Sequence, residues 1–257
     1  MNATLQKGPR RPLVGGNWKM HLLRQEAADY CRVFTAGLGN PESEVVIFPS
    51  APLLPELAAG LKNSPIAWGG QDLHPEQKGA HTGDVSGAQL TDAGCTWVLC
   101  GHSERRQDHG ESPQLVGKKA MAAVRHGLEP LICIGETAEE RRAGQTLQVL
   151  ESQLNAALEG RPDPFALAYE PIWAIGTGET ATPEIAQEVH AFLRTALADL
   201  IGEEAAMGRR ILYGGSVKRG NAAELFAQPD IDGFLVGGAS LDAEEFLGII
   251  HCCGTAA

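Results

Sequence analysis

Four residues of the chain could do proton chemistry together: Asn17, Lys19, His102 and Glu170. Lys19, His102 and Glu170 each come directly after a short apolar run, and Asn17 lies at the end of the first. Glu170 lies in AYEPIWAIGTG. A carboxylate straight after a buried strand is costly unless it is solvated or paired. The following proline biases it toward extended geometry and helps to aim the side chain. So placed, it could take a proton from a carbon next to a carbonyl, or it could simply reach solvent or an arginine. His102 lies in LCGHSERR, between a strand end and an expected helix start. Helix N-terminal N–H groups disfavour imidazolium, which suits a neutral ring donating a hydrogen bond to a substrate oxygen. A histidine satisfied by nearby backbone is the simpler reading of that residue alone. Asn17 and Lys19 lie in GGNWKM. The ammonium can face a phosphate or a developing oxyanion, and the amide can donate to the same oxygen. Trp18 between them predicts that the two share one face of a strand end.

Two glycine-rich turns follow the last two apolar runs, Gly214-Gly215-Ser216 and Gly237-Gly238. Either could be a tight turn needing positive φ. Together they match a recurring phosphate site, in which bare main-chain N–H groups and a helix start hold the anion. Gly176 could add another N–H. Residues 171–181, PIWAIGTGETA, read as a mobile lid, with Pro171 and Thr180-Ala181 as hinges. Its body is Pro171, Ile172, Trp173, Ala174, Ile175, Gly176, Thr177 and Gly178. Trp173 and Ile175 gain little on an exposed loop but could exclude water over a substrate. A fixed, packed loop is the alternative. Residues 72–86, DLHPEQKGAHTGDVS, form a long polar loop that could dock on another subunit or lie free on the surface.

The elements that must position these groups are legible as alternation. Apolar runs at 13–18, 45–48, 66–69, 97–101, 130–134, 165–169, 211–214 and 234–237 are apolar throughout, as in strands buried on both faces. Helical periodicity lies between them, for example at 25–36, 112–125, 146–158, 183–200 and 222–227. Thr182-Pro183-Glu184 is a helix start and Gly202 a stop. Eight β–α units in 257 residues predict a parallel sheet closed into a single-domain (β/α)₈ barrel, preceded by an extension over residues 1–11. A doubly wound open sheet is the rival, since local periodicity does not reveal closure. In both, chemistry belongs at the carboxyl ends of the strands.

Composition narrows the function. With 43% hydrophobic residues a large core is affordable, and the net charge of −11 does not suit nucleic-acid binding. No stretch approaches the length of a membrane span, and the first residues carry no apolar signal region. Six scattered cysteines, Cys31, Cys95, Cys100, Cys133, Cys252 and Cys253, lack metal-ligand spacing and read as reduced thiols of a cytoplasmic protein.

GNWKM, CGHSERR, CIGET, AYEPIWAIGTG, YGGSV and the GG before the last helix occur in order from about residue 13 to 252. This series resembles the triosephosphate isomerase family. The resemblance implies a (β/α)₈ barrel that interconverts dihydroxyacetone phosphate and D-glyceraldehyde 3-phosphate with no metal or organic cofactor. Glu170 would move the proton between two carbons. Neutral His102 and Asn17 would polarise the carbonyl and stabilise the enediolate, with Lys19 as positive charge. Gly176, Ser216, Gly237 and Gly238 would bind the phosphate, and Tyr213 and Ser216 would hydrogen-bond the closed lid. Glu104, which follows His102 closely in the sequence, could stand behind the site or serve as a structural ion partner. The resemblance also implies a homodimer in which the 72–86 loop enters the partner, Thr82 supports the partner's Lys19 and Asn17, and Gln71 belongs to the interface. Glu179 stands at a usual lysine position, Asp72 at a frequent asparagine and Gly15 at a usual alanine; none is in the catalytic set. The alternatives are an isomerase of a four-carbon keto-phosphate and a non-catalytic sugar-phosphate binding barrel.

Overall fold

The computed structural model describes residues 10–175 and 181–254. Its strands are β1 (Leu13–Asn17), β2 (Glu44–Phe48), β3 (Ala67–Gly70), β4 (Trp97–Cys100), β5 (Glu129–Ile134), β6 (Ala166–Tyr169), β7 (Ile211–Tyr213) and β8 (Gly233–Val236). Each pairs in parallel with the next, and β8 returns to β1 through Leu13 and Gly233, so the barrel is closed and the open-sheet rival falls. The longer helices between them are α1 (Arg24–Leu38), α2 (Leu54–Leu61), α5 (Pro113–Arg125), α7 (Thr146–Leu158), α8 (Pro183–Ile201), α10 (Arg219–Phe226) and α11 (Ala243–His251). Four short ones complete the set: α3 (Gly87–Asp92), α4 (Ser103–His109), α6 (Ala138–Arg142) and α9 (Glu203–Gly208). Thr182 caps α8 by accepting from Ile185 N–H, and Pro183 opens the helix, as the Thr-Pro-Glu signal predicts.

Strand alternation divides the apolar residues into two layers. Leu13, Val46, Phe48, Trp97, Leu99, Leu131, Cys133, Ala166, Ala168, Leu212 and Leu235 fill the barrel interior. Val14, Val45, Ile47, Val98, Ile132, Leu167 and Phe234 point outward and pack under the helices. Both faces are therefore dry, which explains why the runs are apolar without interruption. The same parity carries function: counting on from Leu13 puts Asn17 on the interior face, and counting on from Ala168 does the same for Glu170.

The other end of the barrel is closed by charge. Arg194 of α8, 4% exposed, reaches Asp230 at 3.1 Å and Asp232 at 2.6 Å, and it donates to the carbonyls of Ala206 and Arg209. Arg10 adds a second contact to Asp232 at 2.6 Å, so the last residues of the N-terminal segment are tied beneath the barrel. Removing the shared cation would leave buried Asp230 with no ionic partner among the described residues and Asp232 with Arg10 alone. Arg194→Met should therefore cost about 3–5 kcal/mol of stability. Urea unfolding monitored by circular dichroism checks this, and a loss under about 1 kcal/mol would contradict it.

Candidate active site

Asn17, Lys19, His102 and Glu170 all line one cavity of about 380 Å³ at the carboxyl ends of the strands. Gly214, Gly215, Ser216, Gly237 and Gly238 line the same cavity. The residues singled out from the sequence thus converge, although they come from β1, β4, β6, β7 and β8.

Local backbone aims each side chain. Glu170 continues β6: its N–H donates to Ile134 O at 2.8 Å, and the side chain is buried. His102 would face outward by strand parity, but Gly101 breaks the alternation with φ +72 and turns it into the mouth. Arg106 holds that turn by donating to Gly101 O and Cys133 O, both at 2.8 Å. Lys19 corrects the simple expectation that it sits on an extended strand end with Asn17. The strand stops at Asn17, and Lys19 takes the left-handed region at φ +51. Three contacts hold this strained residue. Its N–H donates to Asn17 Oδ1 at 2.9 Å, its carbonyl accepts from Gln71 Nε2 at 2.7 Å, and its ammonium meets Glu104 at 2.6 Å. Gln71, expected at a subunit interface, thus points its amide at its own chain and also donates to Phe48 O at 2.9 Å.

The acid–base pair is in direct contact. His102 Nε2 stands 3.0 Å from Glu170 Oε1, and Ser103 N–H donates to Glu170 Oε2 at 2.9 Å. Burial raises the Glu170 pKa, but the imidazole, the Ser103 N–H and Lys19 more than offset it, so the carboxyl lies below its ordinary value. His102 is the N-cap of α4, and its Nδ1 accepts from Glu104 N–H at 3.2 Å. That contact places the ring proton on Nε2, as a donor. Burial lowers the His102 pKa, while the charge of Glu170 and the hydrogen bond to it outweigh burial and raise it. The sequence argument for a neutral ring considered the helix start alone. The raising influence lasts only while Glu170 stays at 3.0 Å. With the carboxylate moved away, burial and an N–H aimed at Nδ1 both favour neutral imidazole.

Gly214 and Gly135 leave the space this arrangement needs. A Cβ on Gly214 would come 3.0 Å from Glu170 Cγ, and one on Gly135 would clash with Glu170 O. The last glycine-rich turn is close to the cation: a Cβ on Gly237 would lie 3.4 Å from Lys19 Cε. Gly237 caps the short 3₁₀ turn Gly238–Leu241, so a helix start faces the cavity.

Of the lid, Pro171, Ile172, Trp173, Ala174 and Ile175 are described, and Ile175 lines the cavity. Gly176, Thr177 and Gly178, with Glu179 and Thr180, lie outside the described residues. Ile172–Ala174 form one 3₁₀ turn anchored to Glu136, which sequence reasoning did not single out. Glu136 Oε1 accepts from Trp173 Nε1 at 2.9 Å and Tyr169 Oη at 3.1 Å, and Arg141 lies over the Trp173 ring at 4.2 Å. A signal was present: Glu136 follows the β5 run with only Gly135 between, as Glu170 follows β6 directly. Tyr213 Oη is buried beneath the segment that follows the lid, near the Ala181 backbone. Burial pushes its phenol up to about 12, with the Ala181 backbone acting the other way. Ser216 lines the cavity, and its carbonyl accepts from Asn221 at 3.1 Å. Thr82 stands exposed on the loop after β3, away from its own chain's cavity. Asp72 at the base of that loop is paired with Lys119 at 2.5 Å and Arg105 at 3.0 Å. His21 and Lys218 also line the cavity and were not foreseen.

A closed (β/α)₈ barrel with a carboxylate–imidazole pair sharing one cavity with glycine-rich turns belongs to the class of barrel enzymes that act on small phosphorylated molecules. The comparisons give the family. Residues 12–253 match the family profile described as triosephosphate isomerase. Three relatives carry the name triosephosphate isomerase. That of Chloroflexus aurantiacus is 52% identical over 247 residues, which is 94% of this chain and 99% of the relative. That of Moorella thermoacetica is 50% identical over 246 residues, covering 94% and 98%. That of Bordetella pertussis is 51% identical over 243 residues, covering 93% and 96%. The chain belongs to the triosephosphate isomerase family.

Proposed function

We propose that the protein is an aldose–ketose isomerase that interconverts dihydroxyacetone phosphate and D-glyceraldehyde 3-phosphate, a step of glycolysis and gluconeogenesis. The observation that carries the reading is the buried Glu170–His102 pair at 3.0 Å, in one small cavity with the turns at 214–216 and 237–238. Glu170 as carboxylate takes a proton from the carbon beside the carbonyl. The electron pair moves onto the carbonyl oxygen, giving an enediolate held by His102 Nε2–H, the Asn17 amide and the Lys19 ammonium. His102 gives its Nε2 proton to that oxygen and takes one from the neighbouring hydroxyl, and Glu170 then returns its proton to the neighbouring carbon, which leaves the carbonyl on the other carbon. The turns at Ser216, Gly237 and Gly238, with Gly176, bind the phosphate, and residues 171–178 close over it. Positive charge and hydrogen-bond donors come from side chains, so the reaction asks for no metal or organic cofactor. A coupled assay with D-glyceraldehyde 3-phosphate tests the activity. Deuterium uptake from solvent into dihydroxyacetone phosphate tests the proton step, and failure of both would remove the reading.

We read the protein as a cytoplasmic homodimer. No helix among the described residues is long and apolar enough to cross a membrane, and the net charge of −11 argues against a nucleic-acid partner. Support for the dimer is local. Met20 is 92% exposed and Leu23 74% exposed, right beside Lys19, a surface an isolated chain would rarely leave bare. The loop carrying Thr82 protrudes from the same molecule and suits that surface on a second copy. Thr82→Arg should convert the dimer to monomer and lower kcat by about tenfold or more, since docking that supports Lys19 would be lost. Sedimentation of the parent as monomer at micromolar protein would contradict the dimer.

A further inference from the structure

His102 and Glu170 leave two different strand ends, yet they meet at 3.0 Å. Something must set the spacing of those ends. Cys100 of β4 is in register with Ile132 of β5, and Cys133 of β5 with Ala168 of β6. The β4–β5 register ends at Cys100, and Gly101 turns away with φ +72. Beyond that point one side chain spans the gap. Arg106 of α4 donates from Nε to Gly101 O and from Nη2 to Cys133 O, both at 2.8 Å. These two donors lie along one edge of the planar guanidinium, so a rigid fork grips both carbonyls at once. Gly101 is the residue before His102, and Cys133 is in register with the residue two before Glu170. The fit is close: a Cβ on Gly101 would come 3.1 Å from Arg106 Nη2. The charge stands out as well. The neighbouring Arg105 meets two carboxylates, Asp72 at 3.0 Å and Glu111 at 2.8 Å. Arg106 pairs with no carboxylate among the described residues. A half-buried cation bonded to neutral acceptors costs solvation, and burial lowers its pKa; the charge of Glu170 acts the other way.

We propose that Arg106 is a positioning residue for the proton transfer: it clamps the ends of β4 and β5 so that His102 and Glu170 stay in contact, and its positive charge, which no carboxylate neutralises, acts on Glu170. It touches no reacting atom and works through those two residues. The role rests on the isomerase reading for its reaction, but the clamp is a matter of geometry and can be tested without turnover. The other groups around Glu170 have their own partners. His102 and Lys19 favour the carboxylate, and Lys19 is itself paired with Glu104 at 2.6 Å. Glu104 also stands 3.7 Å from His102 Nδ1. Burial pushes the Cys133 thiol well up, so β5 adds no charge there. Glu111 is engaged by Lys119 and Arg105. Lysine in place of Arg106 would supply the charge as a point ammonium without the fork. Methionine would supply neither.

Two variants separate the clamp from the charge. Arg106→Lys keeps the charge and loses the fork. Its kcat should fall about tenfold or more with KM within about threefold, because a small displacement of the base from the ring is costly while the phosphate turns are untouched. Arg106→Met loses both. Its acid limb of kcat/KM should lie at higher pH than that of Arg106→Lys, since Glu170 has then lost a positive neighbour. Arg106→Gln takes its place if circular dichroism shows the methionine variant unfolded. NMR titration of the His102 ring needs no turnover. Burial lowers the His102 pKa and the contact with Glu170 raises it, so a loosened clamp should move the titration of Arg106→Lys to lower pH. An Arg106→Lys kcat within about twofold of the parent, or an unmoved His102 titration, would overturn the clamp. Coincident acid limbs in the charged and neutral variants would overturn the action of the charge. A parent with no isomerase activity would remove the isomerase reading, and the His102 titration would still decide whether Arg106 holds the pair.

Discussion

Glu170→Asp should lower kcat by about a hundredfold to a thousandfold while the fold survives and KM for the phosphorylated substrate changes little. The side chain loses one methylene, so its oxygens retreat by more than an ångström from any carbon in the cavity. Ser103 N–H and His102 now hold those oxygens at 2.9 and 3.0 Å. The shorter chain cannot keep that anchorage and also reach substrate. Binding at the main-chain turns of 214–216 and 237–238 does not involve the carboxylate, which is why KM should be spared. The carboxyl stays charged in aspartate, so the loss reports position rather than charge. Steady-state kinetics in both directions and a urea midpoint check the split. A kcat within about threefold of the parent would remove Glu170 as the base. The pH argument has a definite sign. The folded pKa of Glu170 lies below the ordinary value of 4.5. Its contribution to stability is therefore present above 4.5 and is lost as pH falls through the folded value.

His102→Gln should lower kcat by about 10²–10³-fold, the scale seen when one donor to a developing oxyanion is removed. Glutamine still offers an amide N–H, but it loses the fixed ring geometry and the Nδ1 acceptor that caps α4. A second readout separates a chemical role from a merely structural one. The His102 imidazole is the leading influence holding the Glu170 pKa down against burial. Without it, that pKa should rise. The acid limb of kcat/KM, which reports the free enzyme, should then move to higher pH. An unshifted acid limb, or kcat within about fivefold of the parent, would contradict the assignment.

Much of the site was legible because strand parity is short-range. Asn17 and Glu170 follow from counting alternate residues along β1 and β6, and both lie where that count puts them. His102 is different. Parity sends it outward, and only the left-handed Gly101 turns it in, a fact about one torsion that no periodicity contains. Lys19 was chosen for its chemistry, but its φ of +51 and its hold by Gln71 needed a residue fifty positions away. Glu136 was quoted within its motif yet given no role, because its partner Trp173 comes from the next β–α unit. α1, α5, α7, α8 and α10 were legible within a few residues, but α3, α6 and α9, of five or six residues each, are too short for an amphipathic period to emerge. Closure of the barrel lay beyond local reasoning for the same cause: the β1–β8 pairing joins segments from opposite ends of the chain.

That seam has a consequence for how the molecule comes into being. Leu13 is made early in synthesis, but its β8 neighbour Gly233 arrives only near the end. At translation speeds of about 5–20 residues per second, β1 waits on the order of ten seconds to most of a minute with one edge unpaired. Throughout that wait a run of buried apolar side chains and open backbone donors is presented to the cell. The last strand to leave the ribosome is thus the one that shelters the first, and a nascent chain halted before residue 233 would be a sticky, open sheet rather than a smaller barrel.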